Sequence, residues 1–291
     1  MSPIIEAPGR DAVSTYVLLL CAPDSNVERA PKFGILSYSF RRIAPGTALF
    51  MCASSNLRLS ETSIMKRDDE TEPHFASAAL ITIDTQRDTL DGQPFEIAGT
   101  TAALPAMSAL LGAFRRQNAP IVHVVRIYKR DGSNVDPCRR RAILDGARLL
   151  LEGSPGCELA APLCLTPDVR LDSEALLSGE VQCVGPNEVI MYKPRWGAFF
   201  RTPLEAHLKE ARVNSIVFAG CNFPNCPRTS IYEASERDFR TVLADDAVSG
   251  FYEQGRKELT KIGVRVMSSA EVIARLDSAL AARRPLASKP A

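Results

Sequence analysis

From residue 78 onward, short continuously apolar runs alternate with stretches whose apolar residues recur at helical spacing. The runs are Ala79–Asp84 (ALITID), Ile121–Ile127 (IVHVVRI), Glu188–Lys193 (EVIMYK), Ser215–Gly220 (SIVFAG), Thr241–Ala244 and Val264–Met267. Each predicts a strand buried on both faces. Thr100–Asn118 places Leu104, Met107, Leu110, Leu111 and Phe114 along one helical face, with Pro105 in the tolerant first turn. Arg139–Leu151 reads as a weaker helix, and Pro203–Ala211 as a short one with Thr202 as its cap. Pro227–Asp238 starts on a proline, Phe251–Ile262 is closed by Gly263, and Ser269–Ala282 is the last helix. The predicted class is α/β: a Rossmann-like three-layer α/β/α domain around a mainly parallel six-stranded sheet.

Residues 1–64 break this pattern, mixing Ser, Pro and Arg with short apolar pieces. Met65 then opens a charged stretch directly before the first strand. Either Met65 is the natural start and residues 1–64 are an extension, or they form a partly ordered arm. The catalytic domain is expected over 65–283, with a tail at 284–291. Tyr16–Ala22 (YVLLLCA) is a short signal-like core, but Glu6, Arg10 and Asp11 precede it and a bulky Leu20 sits where cleavage wants a small residue. No apolar run reaches the roughly 18 residues of a membrane span.

Composition narrows the partners. Hydrophobic residues are 45% and charged residues 24%, and 35 Lys+Arg against 34 Asp+Glu leave +1. This balance speaks against a nucleic-acid binder. The eight cysteines include no CxxC pair, and His74, His123 and His207 lie away from any cysteine cluster, so neither a disulfide framework nor a zinc site is expected. The reading is a cytoplasmic protein with reduced thiols and no cofactor.

Ligands of open parallel sheets bind beyond the carboxyl ends of the strands. Asp84, Lys193 and, through the turn Cys221–Asn225, Cys226 all fall on that edge. Singly, such an Asp is a turn residue, such a Lys a solvated cation, and a helix-start Cys a small buried hydrophobe. Together they make a candidate site. Cys226 precedes Pro227, so its sulfur stands at the positive end of a helix dipole, which favours the nucleophilic thiolate, as does a neighbouring Lys193. Asp84 is placed to take the thiol proton and return it to a leaving amine. Backbone N–H groups of the turn from Asn222 to Cys226 are candidates to meet a developing oxyanion. GxSxG, GxGxxG and phosphate-loop patterns are absent.

The blocks ALITIDTQRD (79–88), VIMYKPRWGAFFRTPL (189–204) and VFAGCNFPNCPRTSIYEASERDFR (217–240) resemble the isochorismatase-like cysteine hydrolases over about 76–278. The resemblance implies Cys226 as nucleophile, Asp84 as acid/base and Lys193 as electrostatic partner. It also implies an oxyanion hole of the Asn222 and Cys226 amides beside a non-proline cis peptide. It implies hydrolysis of a C–N bond in a small amide, carbamoyl or ureido compound through a thioester, by a homodimer or homotetramer. Nicotinamidases of this family carry an Asp-x-His metal motif, but Tyr128–Asp136 holds no histidine, so no metal is expected. True isochorismatases, which cleave a vinyl ether, lack the cysteine.

Arg126, Lys129, Arg130, Arg139, Arg140 and Arg141 form a basic loop, either a carboxylate-binding lid or a solvated or subunit-contact surface. Arg126, Trp196, Phe200 and Phe223 are the candidate substrate-binding residues, against a plain core reading for the aromatics. Rival functions are a non-catalytic ligand-binding member of the fold, a vinyl-ether hydrolase, and a redox sensor pairing Cys221 with Cys226.

Overall fold

The computed structural model describes residues 70–282, so the expectations for 1–64 and for the tail 284–291 lie outside the described residues. In chain order the elements are β1 (Ala78–Ile83), α1 (Thr100–Arg116), β2 (Ile121–Val125), α2 (Pro137–Leu144), α3 (Ser173–Ser178), β3 (Gln182–Gly185), β4 (Glu188–Tyr192), α4 (Leu204–Glu210), β5 (Ser215–Gly220), α5 (Cys226–Ser235), β6 (Arg240–Val248), α6 (Glu253–Lys261), β7 (Arg265–Met267) and α7 (Ser269–Ala281). They build one sheet in the order β3-β4-β2-β1-β5-β6-β7.

The sheet has seven strands, not the expected six. The extra one, β3, is antiparallel to β4 at the edge. Its four residues are half-buried or exposed, so it lacks the apolar run that marks the inner strands. The Gly185-Pro186-Asn187 turn before Glu188 was its available signal. Helix α2 runs Pro137–Leu144, starting before the expected Arg139–Leu151 and stopping short of its end, and the chain then leaves it through Gly146 at φ +102. Ahead of α4, the Thr202 hydroxyl accepts only a long 3.4 Å bond from the Leu204 N–H, and Pro203 takes the cap position.

Strands β1, β2 and β5 are buried along their whole length. Alternate side chains serve opposite faces. Leu80 packs with Met107, Leu110 and Phe114 of α1 and with Val272 and Leu276 of α7. Ile81 and Ile83 pack on the other face with Leu204 of α4, Ile231 of α5 and Leu259 of α6. That division makes the three layers. The one polar side chain inside β2 is partnered: His123 Nδ1 lies 2.7 Å from Thr82 Oγ1, and its Nε2 lies 2.9 Å from Glu188 Oε1. Glu188 also accepts two bonds from Arg115, at 2.8 and 2.6 Å.

From the central β1 the chain builds outward through β2 and β4 on one side, then through β5, β6 and β7 on the other. Such a switch opens a crevice at the carboxyl ends of the central strands. Gly220 closes β5 at φ +122, and a Cβ there would strike the backbone of Ile83. Only glycine lets the end of β5 lie this close to the end of β1, where the Cys221 N–H donates to Ile83 O at 2.9 Å.

Candidate active site

Asp84 leaves β1 with φ +48, a region costly for a non-glycine residue. Its neighbours hold it there. Its N–H donates to Val124 O at 2.9 Å, and its carbonyl accepts from Gln86 N–H at 3.0 Å, Thr89 Oγ1 at 3.2 Å and Cys221 Sγ at 3.0 Å. Lys193 extends the β2–β4 ladder, its N–H donating to Val125 O at 2.9 Å. Its side chain is fully buried, and Nζ meets Asp84 Oδ2 at 2.7 Å and Arg195 O at 3.1 Å. Cys226 is the first residue of α5 and is 4% exposed. The Asp84 carboxylate couples to its thiol by charge and as hydrogen-bond acceptor, while Asp84 Oδ1 keeps no well-formed bond of its own.

Burial sets the direction of the thiol's ionisation against a resting thiolate. Burial, and after it the negative charge of Asp84, push the Cys226 pKa up to about 11, although Lys193 and Arg126 pull the other way. The helix start and the ammonium are present, but desolvation of a sulfur sealed among apolar side chains outweighs them. Burial and the facing Asp84 carboxylate both favour the neutral S–H form of this side chain. Cys221 is wholly buried, and burial pushes its thiol up to about 12.

The 221–222 peptide bond is cis. Neither the Asn222 N–H nor the Cys226 N–H donates to an acceptor among the described residues. Two backbone donors thus stand free at the turn that delivers the sulfur.

The basic loop divides. Arg126 does not reach out as a substrate ligand: it is 1% exposed, and its two terminal nitrogens are taken. Nη1 donates to Asp136 Oδ2 at 2.7 Å and Pro194 O at 3.0 Å, and Nη2 donates to Arg195 O at 2.6 Å. The Arg195 carbonyl therefore accepts from both Arg126 and Lys193, so the arginine fixes the turn that holds the buried ammonium. Lys129, Arg130, Arg140 and Arg141 are exposed. Only Arg139 is half-buried and turned onto the aromatic rings beside the site, with Cζ 5.0 Å from the Trp196 ring centre and 5.5 Å from that of Phe95. Trp196 is partly buried, and Arg126 lies over it as well at 6.0 Å.

The other two aromatics sit differently. Phe200 is 42% exposed under the Arg201 guanidinium. Phe223 is fully buried, packed edge-on against Phe251 and Tyr252 beneath the Cys221–Cys226 turn.

Gln86, Asp136, Tyr128 and Phe95 escaped the sequence reading. Gln86 is fully buried, donates to Arg126 O at 2.8 Å and Cys157 O at 2.6 Å, and accepts from Arg126 N–H at 2.9 Å, locking the ends of β1 and β2 together. Asp136 also accepts from Tyr128 Oη at 2.6 Å. Its place ten residues beyond Arg126, before Pro137, was the only hint. Among the described residues, no three His, Cys, Asp or Glu side chains converge as a metal site. Of the two carboxylates in Tyr128–Asp136, where nicotinamidases place their metal motif, Asp136 is committed to arginines and Asp131 is exposed and accepts the Ser133 N–H at 2.9 Å; with no histidine beside either, the residues present do not fit that metal.

Residues 78–271 match the isochorismatase domain family. A probable inactive nicotinamidase of Arabidopsis thaliana is 25% identical over 173 residues, which span 58% of this chain and 79% of that protein. A maleamate amidohydrolase of Pseudomonas putida is 27% identical over 175 residues, spanning 58% and 71%. The crystal structure of an isochorismatase family protein from Desulfovibrio vulgaris superposes with a TM-score of 0.58 at 27% identity, covering 70% of this chain and 98% of that one.

Proposed function

The chain belongs to the isochorismatase family, and on that premise we propose that it is a metal-independent cysteine hydrolase of a small amide, carbamoyl or ureido compound. The observation that carries this reading is the buried Lys193–Asp84 contact of 2.7 Å beside the Cys226 thiol. The neighbouring maleamate amidohydrolase supports an amide bond as the target.

A neutral thiol needs a base at the moment of attack. As Cys226 Sγ bonds to the substrate carbonyl carbon, its proton passes to Asp84. The carbonyl oxygen takes the negative charge and accepts the Asn222 and Cys226 N–H groups. Asp84 then gives the proton to the nitrogen, the C–N bond breaks, and the amine leaves a thioester on Cys226. Water attacks the thioester, Asp84 takes the water's proton, and the C–S bond breaks to release the acid. The proton returns to sulfur. Throughout, the Lys193 ammonium balances and orients the carboxylate.

Ammonia release across maleamate, carbamoyl amino acids, ureido acids and nicotinamide tests the reading. Cys226→Ala should abolish release from whichever compound turns over, and mass spectrometry of acid-quenched wild type should find the acyl group on Cys226. Undiminished turnover in Cys226→Ala overturns it, and a compound that binds at Cys226 without hydrolysis points to the non-catalytic rival.

A further inference from the structure

Three guanidinium groups converge on one carboxylate at the rim of this site. Asp136 holds Arg126 at 2.7 Å, Arg139 at 3.8 Å and Arg195 at 3.9 Å. Its single negative charge leaves a local surplus of positive charge in a half-buried place, where surplus charge is costly without a counter-ion. Arg126 has spent its terminal nitrogens on Asp136 and on the carbonyls of Pro194 and Arg195. Arg139 has not. Its Nη1 donates to Tyr128 Oη at 3.0 Å, while its Nε and Nη2 donate to no acceptor among the described residues. The Phe95 and Trp196 rings flank this guanidinium, and the tyrosine hydroxyl tethers its Nη1. A planar fork tethered in this way, with its donor edge unused, is shaped for a carboxylate.

The neighbourhood is that of the nucleophile. Trp196 is three residues beyond Lys193, and the Arg126 that lies over its ring is coupled by charge to Asp84 and Cys226. Burial disfavours the charge on Arg139, but Tyr128 and, in smaller part, Cys226 favour it.

We propose that Arg139 receives the carboxylate of a small acidic substrate whose amide or carbamoyl carbonyl is presented to Cys226. The substrate class is then an amide, carbamoyl or ureido acid rather than a neutral amide. The inference rests on the reading of Cys226 as the attacking atom.

Alkylation with an anionic and a neutral reagent tests this without knowledge of the substrate. Iodoacetate and iodoacetamide each form a C–S bond and expel iodide, and they differ in carrying a carboxylate or an amide. Their rates are read at the Cys226 peptide by mass spectrometry in the full chain, and their ratio cancels any change in thiol ionisation. The ratio at Cys226 should exceed that at the exposed Cys183. Arg139→Gln should lower it by about tenfold, with Arg139→Lys between the two. An unchanged ratio in Arg139→Gln overturns the proposal, as does failure of both reagents to label Cys226. The outcome separates from that of the hydrolase reading. If no compound yields ammonia but the ratio still depends on Arg139, the anion site stands and hydrolysis falls. If ammonia is released and the ratio ignores Arg139, the reverse holds.

Discussion

Lys193 Nζ and Asp84 Oδ2 meet at 2.7 Å, with the lysine side chain wholly withdrawn from solvent. An ammonium so placed cannot be removed without leaving its carboxylate partner buried and uncompensated. Lys193→Met is therefore expected to lose activity and to destabilise the fold by about 3–5 kcal/mol. Adding Asp84→Asn should recover part of the stability and none of the turnover. Urea unfolding of the two single variants and the double variant checks this as a cycle, and additive losses would show the pair to be uncoupled.

The raised Cys226 thiol gives a pH signature. An exposed thiol ionises near pH 8.5, whereas burial holds this one to about 11. Iodoacetamide should thus label Cys226 more slowly than Cys183 at pH 7 and gain speed until about pH 11. The folded state binds these protons more tightly than the unfolded chain. The stability linked to them is present below the unfolded thiol pKa and is lost as pH rises toward 11. Cys221 and Cys157, both pushed up to about 12, act in the same direction. Slow alkylation at neutral pH is compatible with the proposed hydrolysis, in which Asp84 supplies the base during attack.

Arg126 is expected to act through position rather than contact with substrate. Arg126→Met frees the Pro194 and Arg195 carbonyls and leaves Asp136 to Tyr128 Oη and the longer contacts with Arg139 and Arg195. It should cost about 1–3 kcal/mol and lower kcat more than it raises KM. Arg126→Lys cannot donate from two nitrogens to two acceptors in one plane, so it should not restore kcat. A variant with unchanged kcat and raised KM would assign Arg126 to substrate binding instead.

At the other end of β4, burial raises the Glu188 pKa, but bonds from Arg115 and His123 outweigh it and bring it down to about 2. This carboxylate contributes stability that is present above the unfolded pKa near 4.3 and is lost as pH falls toward 2. Glu188→Gln should flatten the acid limb by something of order 2 kcal/mol, read from unfolding midpoints between pH 2 and 6. Turnover should persist, because Glu188 lies at the amino end of its strand, opposite the crevice.

The fold was legible wherever burial on both faces writes itself as a continuous apolar run, as in Ala79–Asp84 and Ser215–Gly220. It was illegible at Gln182–Gly185, an edge strand held mainly by backbone bonds to β4. Strand direction alone brought Asp84, Lys193 and Cys226 to one edge. What sequence could not supply was desolvation. A helix start and a lysine argue for a thiolate, and only the three-dimensional seal around Cys226 reverses that. The same gap hid the division of labour among the arginines. Arg126 and Arg139 look alike in a string of cations, yet one is buried under two carbonyls and a carboxylate while the other keeps a free edge. Phe200 and Phe223 differ in the same way, one at the surface and one in the core.

Helix α2 carries Arg139 without burying any of its own residues. On the proposed reading, the segment that sorts substrates by charge rests on the fold through partly buried side chains, Ile143 and Arg139, and not through a buried face of its own. A changed side chain on α2 has little core packing to disturb, so preference for acids could be retuned there at small cost to stability, whereas the interior beneath Cys226 tolerates no such freedom.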